Sequence, residues 1–235
     1  MRNMIKTAQT MNTAPMEDPF ANKHVHIVNQ AGGGDSVNTT IYITNEIAEP
    51  NEYTEMLATL AAAQENDTIE LIINSPGGRV DTAVMILDAL SQTNAFTKAK
   101  VVGEAASAAS MIMLAVDELV VAPFAFAMIH NYSAGMYGKG HELKTQSDFI
   151  HSAYGELFHG VYKGFLSKKE RKQVIEGKDM YLSADDIEAR WGKVQEARQK
   201  YMAKIIADQE VAFNDDMIRV LESRGYHVTK DKKKD

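Results

Sequence analysis

The chain has 235 residues, 45% of them apolar and 24% charged, enough to bury a core and too apolar for a disordered polymer. Its formal net charge of −7 argues against non-specific nucleic-acid binding, which needs a positive surface to displace counterions. It has no cysteine, which removes disulfides, thiol nucleophiles and thiolate metal sites and fits a reducing cytoplasm, and no run of about 18 apolar residues that would span a membrane.

The opening stretch, Met1 to Pro19, is polar and lacks the apolar segment of a secretory signal. Residues 1–20 read as a flexible arm or a removable leader. His24 to Asn29 alternates like a short strand, Ala31 to Ser36 is a glycine-rich hairpin tip, and Thr40 to Thr44 is a β-branched second strand. Asn51 to Ala63 reads as a helix with Tyr53, Met56, Leu57 and Leu60 on one face. Thr68 to Ile73 is a buried-strand run that ends in the sharp turn Asn74-Ser75-Pro76-Gly77-Gly78, and a helix follows from about Arg79. Lys98 to Gly103 reads as a strand, Ser107 to Val116 as a helix, and Glu118 to Val121 and Phe126 to His130 as two short strands.

From His141 to Phe165 the pattern predicts one long helix, its apolar stripe running through Leu143, Ile150, Tyr154, Leu157, Val161 and Phe165. A further helix is expected through Val194, Ala197, Tyr201 and Ile205 and on to Phe213, Met217 and Val220. The closing basic run, Lys230 to Lys234, alternates with Asp231 and Asp235 and reads as a solvated tail. Strands alternating with helices imply an α/β class. The organisation expected is one domain over residues 21–193 and a helical extension with a charged tail over 194–235.

Two strand-to-helix turns are rich in small residues: Ser75-Pro76-Gly77-Gly78 and Gly103-Glu104-Ala105-Ala106-Ser107-Ala108-Ala109-Ser110. A helix N-terminus exposes free N–H groups and partial positive charge, and a serine there can present its hydroxyl beside them. Acyl transfer needs that pairing of nucleophile and oxyanion hole. The hydroxyl also needs a base, for which His130 at a strand end is a candidate, and the base needs an orienting acid, for which Asp179 is one. Each position has a plainer reading on residue type alone. Ser107 can be a helix cap, His130 a structural histidine, Asp179 a helper for the helix starting near Ser183, and Gly77-Gly78 an ordinary turn.

Four blocks taken together resemble the signature of the Clp protease family: Ile73-Asn74-Ser75-Pro76-Gly77-Gly78, Gly103-Glu104-Ala105-Ala106-Ser107, Met128-Ile129-His130, and Asp179-Met180-Tyr181-Leu182-Ser183-Ala184. They occur in the family's order over roughly residues 38–193. The resemblance implies a spiral of β-β-α units, as in Clp proteases and crotonases, with a long protruding helix. It implies a serine endopeptidase acting through an acyl-enzyme, with Ser107 as nucleophile, His130 as base and Asp179 as acid. The backbone N–H groups of Gly78 and Ala108 would form the oxyanion hole. Asn131 to Gly138 would lie beside an extended peptide substrate, and the long helix would join two rings of subunits. No metal or organic cofactor is implied. The partners implied are polypeptide substrates, further copies in a ring or double ring, and an AAA+ unfoldase or capsid and scaffold proteins.

The chain departs from housekeeping members at Ala108-Ala109-Ser110, where they usually carry Met-Gly. These small residues, and Ala115-Val116-Asp117-Glu118, are more similar to Clp-type proteases of phages and prophages, some of which trim capsid and scaffold proteins during head maturation. The N-terminal segment also lacks a match to the loops that engage an unfoldase. Ser110 is a rival nucleophile, expected one helical turn from Ser107. The alternatives are a phage head-maturation protease of the same fold, a non-catalytic scaffold subunit and a crotonase-type acyl-CoA enzyme, the last two disfavoured by the serine, histidine and aspartate blocks.

Other motifs fail. His141-Glu142-Leu143-Lys144-Thr145 has threonine where a zinc-protease helix needs its second histidine. No Gly-x-x-x-x-Gly-Lys-Ser/Thr occurs, so ATP-driven unfolding would have to come from another chain. His24 and His26 read as a solvated strand face.

Overall fold

Runs of β-branched and apolar residues condense into seven strands: β1 (His26–Ala31), β2 (Val37–Ile43), β3 (Thr68–Ser75), β4 (Phe96–Ala106), β5 (Glu118–Val121), β6 (Phe126–Ile129) and β7 (Met180–Ser183). The computed structural model describes residues 24–197 and 199. All seven strands form one sheet in the order β1-β2-β3-β4-β6-β7, with β5 also on β4. β1 and β2 form an antiparallel hairpin, and β2, β3 and β4 run parallel. The eleven-residue β4 takes two parallel partners in succession. Its first half pairs with β5 through Lys98–Val101, and its last residues, Glu104–Ala106, pair with β6. β7 closes the sheet antiparallel to β6.

One face of the sheet is the core. Ile41, Ile43, Ile69, Leu71, Ile73, Ala99 and Val101 are all buried. Against them lie α1 (Thr54–Ala62), α2 (Val80–Gln92) and α3 (Ala108–Met113), contributing Met56, Leu60, Ile86, Leu90 and Ile112. Burying side chains of this size stabilises the fold by about 1.5–3 kcal/mol each. On the other face Tyr42, Val102, Val120, Phe126 and Tyr181 remain partly exposed.

Several boundaries differ from those predicted. A 3-10 turn (Pro50–Tyr53) precedes α1, so the first helix starts later than Asn51. β4 is longer than predicted and α3 shorter, and Ser107 stands at the N-cap position of α3 without a side-chain cap hydrogen bond. The long helix α4 spans Gly140–Val161 and stops short of Phe165. Gly164 adopts φ 91° just after it, a backbone that ends a helix, and Phe165 is buried in the turn. Leu143, Ile150, Tyr154, Leu157 and Val161 are only half-buried, and Phe149 is 72% exposed.

Two elements were not predicted: α5 (Lys168–Ile175) and β7. A last helix runs from residue 184 through 197 and carries Val194 and Ala197. The rest of the predicted C-terminal helix, the basic tail and the N-terminal arm lie outside the described residues. No helix among those described is long and apolar enough to cross a membrane.

Candidate active site

β4 ends at Ala106 and α3 begins at Ala108, so one residue makes the turn between them. That residue is Ser107, with φ 51° and ψ −123°. Among the described residues it is the one non-glycine with positive φ. Such a backbone costs about 1–3 kcal/mol and persists only where its surroundings over-determine it. Here the Ser107 N–H donates to the Met128 carbonyl at 2.7 Å, and the Ser107 carbonyl accepts from the Ser110 N–H at 3.0 Å. Gly77, at φ 91°, packs so closely that a Cβ on it would lie 2.5 Å from the Ala106 carbonyl oxygen and 2.7 Å from the Ser107 Cβ. Glycine is therefore required there.

β6 delivers His130. Its last residue, Ile129, is fully buried, and the half-buried imidazole follows at the strand end. His130 Nε2 lies 2.7 Å from Ser107 Oγ. With the imidazole proton on Nδ1, Nε2 accepts from the serine hydroxyl, the geometry a general base requires. The histidine backbone is braced: its carbonyl accepts from the Tyr154 hydroxyl at 3.1 Å, and the Asn131 amide donates to the Ile175 carbonyl at 2.9 Å. Burial pushes the Tyr154 hydroxyl up to about 12.

Asp179 is brought near but not joined. Ile129 pairs with Met180 as the last rung of the antiparallel ladder, so His130 and Asp179 are the two residues that flank that rung. Asp179 is exposed, and none of the hydrogen bonds among the described residues links its carboxylate to the imidazole. The helix-start role open to it goes elsewhere. Ser183 donates through Oγ and N–H to Asp186 Oδ2 at 2.7 and 3.1 Å, and the Asp186 N–H donates back to Ser183 Oγ at 3.2 Å.

Gly78 and Ala108 bracket the serine. Gly78, at φ 145°, forms an isolated parallel bridge with Ile47. The bridge bonds use the Gly77 carbonyl and the Arg79 N–H, at 2.7 and 2.9 Å, and leave the Gly78 N–H out. Ala108 is the first residue of α3, so its N–H is one a helix leaves without an internal partner. Both line a cleft of about 290 Å³ with Ser107, His130, Met111, Met128 and Tyr162.

Ser110 is fully buried. Its hydroxyl donates to the Ser107 carbonyl at 2.6 Å and lies 2.6 Å from the Tyr162 hydroxyl, away from the imidazole contact that Ser107 makes. Tyr162 and Tyr154 are residues of this site that the sequence reading had placed only in the helix stripe or not at all. Asn131 to Gly138, expected beside a substrate, lies in no helix and no ladder among the described residues. Tyr132 to Gly135 of this stretch, with Phe149, Ile150 and Tyr154 of α4, bound a second cleft of about 950 Å³.

The family model for Clp protease matches residues 22–208. The chain belongs to the Clp protease family. An ATP-dependent Clp protease proteolytic subunit of Chlorella vulgaris is 27% identical over 139 residues, which cover 57% of this chain and 68% of that protein. The ATP-dependent Clp protease proteolytic subunit 1 of Shouchella clausii (strain KSM-K16) is 26% identical over 148 residues, covering 61% and 77%. The mixed α/β architecture around a seven-stranded sheet is consistent with the Clp protease fold, and membership supports peptidase activity for the chain.

Proposed function

We propose that this Clp protease family member is a serine-type endopeptidase with Ser107 as nucleophile, His130 as general base and Asp179 as the acid that orients it. The observation that carries the reading is the 2.7 Å contact between Ser107 Oγ and His130 Nε2 at a strained strand-to-helix turn. As Oγ attacks a peptide carbonyl carbon, its proton passes to Nε2. The carbonyl oxygen becomes an oxyanion, stabilised by the N–H groups of Gly78 and Ala108. Collapse of the tetrahedral intermediate breaks the C–N bond, and the imidazolium gives its proton to the departing amine. Water, deprotonated by His130, then adds to the acyl-enzyme, and the serine recovers its proton as the new carboxylic acid leaves.

Asp179 fits the acid role by its place, flanking with His130 the last rung of the β6–β7 ladder. The stretch from Asn131 to Gly138, in no ladder among the described residues, offers a substrate an edge to pair with as an added strand. The half-exposed stripe of α4, with Phe149 projecting from it, favours assembly into a ring or double ring around a chamber. Clp proteases generally form rings and work with AAA+ unfoldases; the partner in this reading is an AAA+ unfoldase or capsid and scaffold proteins, and the N-terminal segment, without a match to the loops that engage an unfoldase, weighs against the first. Residues 21–193 would form the peptidase domain and 194–235 an appended helical extension. Degradation of an unfolded polypeptide by wild type and Ser107→Ala tests the reading. The variant should lose roughly 10³-fold or more in rate, because members of such a triad act as a unit. Undiminished hydrolysis would overturn it.

A further inference from the structure

Ser110 and Tyr162 form a buried hydroxyl pair whose geometry bears on the oxyanion hole. Ser110 is 0% and Tyr162 2% exposed. The Ser110 hydroxyl proton goes to the Ser107 carbonyl, at 2.6 Å. The bond between Ser110 Oγ and the Tyr162 hydroxyl, also 2.6 Å, must then be donated by the tyrosine. The result is a chain of donors from Tyr162 through Ser110 to the Ser107 carbonyl oxygen, which also accepts the Ser110 N–H. Burial pushes the Tyr162 hydroxyl far above the usual tyrosine range, so it keeps the proton it donates.

That carbonyl belongs to the same planar peptide unit as the Ala108 N–H. Hydrogen bonds to one end of an amide fix its plane and strengthen the other end as a donor. Bonds converging on the Ser107 oxygen therefore aim and polarise the Ala108 N–H. They also hold the backbone of a residue at φ 51°, a conformation its own sequence disfavours.

We propose that Ser110 and Tyr162 are positioning residues that set the oxyanion donor of Ala108, Tyr162 acting through Ser110 and Ser110 through the Ser107–Ala108 peptide. The inference rests on the serine-peptidase reading given above. It predicts a defect in the chemical step and not in substrate binding.

The test is a double-variant comparison of full-length protein on a fluorogenic peptide. Tyr162→Phe keeps the ring packing and removes the terminal donor. Ser110→Ala alone strands the tyrosine hydroxyl in the core. Ser110→Ala with Tyr162→Phe leaves no unpaired group and should recover most of any lost thermal stability. Loss of a whole oxyanion donor costs about 10²–10³ in kcat. Loss of its alignment alone should lower kcat about tenfold in the double variant, with KM within about twofold of wild type. Tyr162→Phe should fall between, and should add nothing further once Ser110 is alanine. Wild-type kcat in a double variant of normal stability would overturn the inference, as would a change confined to KM. Ser107→Ala, assayed in parallel, separates the two levels: activity in that variant would sink the peptidase reading itself. An inert Ser107→Ala beside a double variant with wild-type kcat would sink only the role of the hydroxyl pair.

Discussion

Ser107 and Met128 are joined backbone to backbone, the serine N–H donating to the methionine carbonyl at 2.7 Å. Two residues beyond Met128 stands His130. The strained turn and the strand that carries the imidazole are thus tied together by main chain, which places the two backbones from which Oγ and Nε2 meet at 2.7 Å. Sites held this way are more precise than sites built from loops.

Gly78 should not tolerate a side chain. A Cβ on it would lie 2.3 Å from the Ile47 carbonyl oxygen, at a backbone φ of 145°. Gly78→Ala must shift this segment and with it the N–H beside Ser107. We expect kcat to drop by about 10²–10³ and stability by about 1–3 kcal/mol. Steady-state kinetics and urea unfolding check both, and wild-type kcat would remove Gly78 from the oxyanion hole.

Asp179→Asn separates the acid role from a structural one. The exposed side chain makes no hydrogen bond among the described residues, so the melting temperature should not move. Loss of the acid proposed to hold the imidazole's tautomer should still reduce kcat/KM by about 10²-fold or more. Unchanged kcat/KM would assign the acid elsewhere.

Glu170 gives the fold a defined acid sensitivity. The Arg190 guanidinium beside it, at 2.8 Å, holds its carboxyl down to about 2 from an ordinary 4.5. Arg190 also donates to the Phe165 carbonyl at 3.2 Å, so the pair ties α5 and the last helix to the turn after α4. A carboxylate with a depressed folded pKa stabilises the native state fully above its unfolded pKa. The contribution is lost as the pH falls through the folded value. The stability difference between wild type and Arg190→Gln should therefore be constant above about pH 4.5 and shrink towards about pH 2. Urea midpoints across that range measure it, and a difference that did not change with pH would contradict the assignment.

Much of this was legible in the sequence because the signals were local. β3 with its Ser75–Gly78 turn, and α2 after it, follow from one apolar run, one Pro-Gly-Gly and one helical period. Ser107 and His130 were legible only as a set of blocks, since either alone has a plain structural reading. β7 was missed because four residues carry no period; its ladder to β6 ends at the Ile129–Met180 rung that Asp179 and His130 flank. α5 was missed for its polarity, having Val174 as its one buried residue. Its capping box of Ser167 and Glu170, with the Glu170 N–H donating to Ser167 Oγ at 3.2 Å, was nevertheless there to be read. The end of α4 was misplaced because the apolar stripe continues to Phe165, while the break is made by the backbone at Gly164. The partnership of Ser110 with Tyr162 spans 52 positions, and nothing in a single sequence announces it.

The most direct test of the central claim is labelling with a fluorophosphonate serine-hydrolase probe, followed by peptide mapping of the adduct in wild type, Ser107→Ala and Ser110→Ala. The account predicts label on Ser107 in wild type, none in Ser107→Ala, and slower labelling still on Ser107 in Ser110→Ala. Label on Ser110, or label that survives in Ser107→Ala, would contradict it.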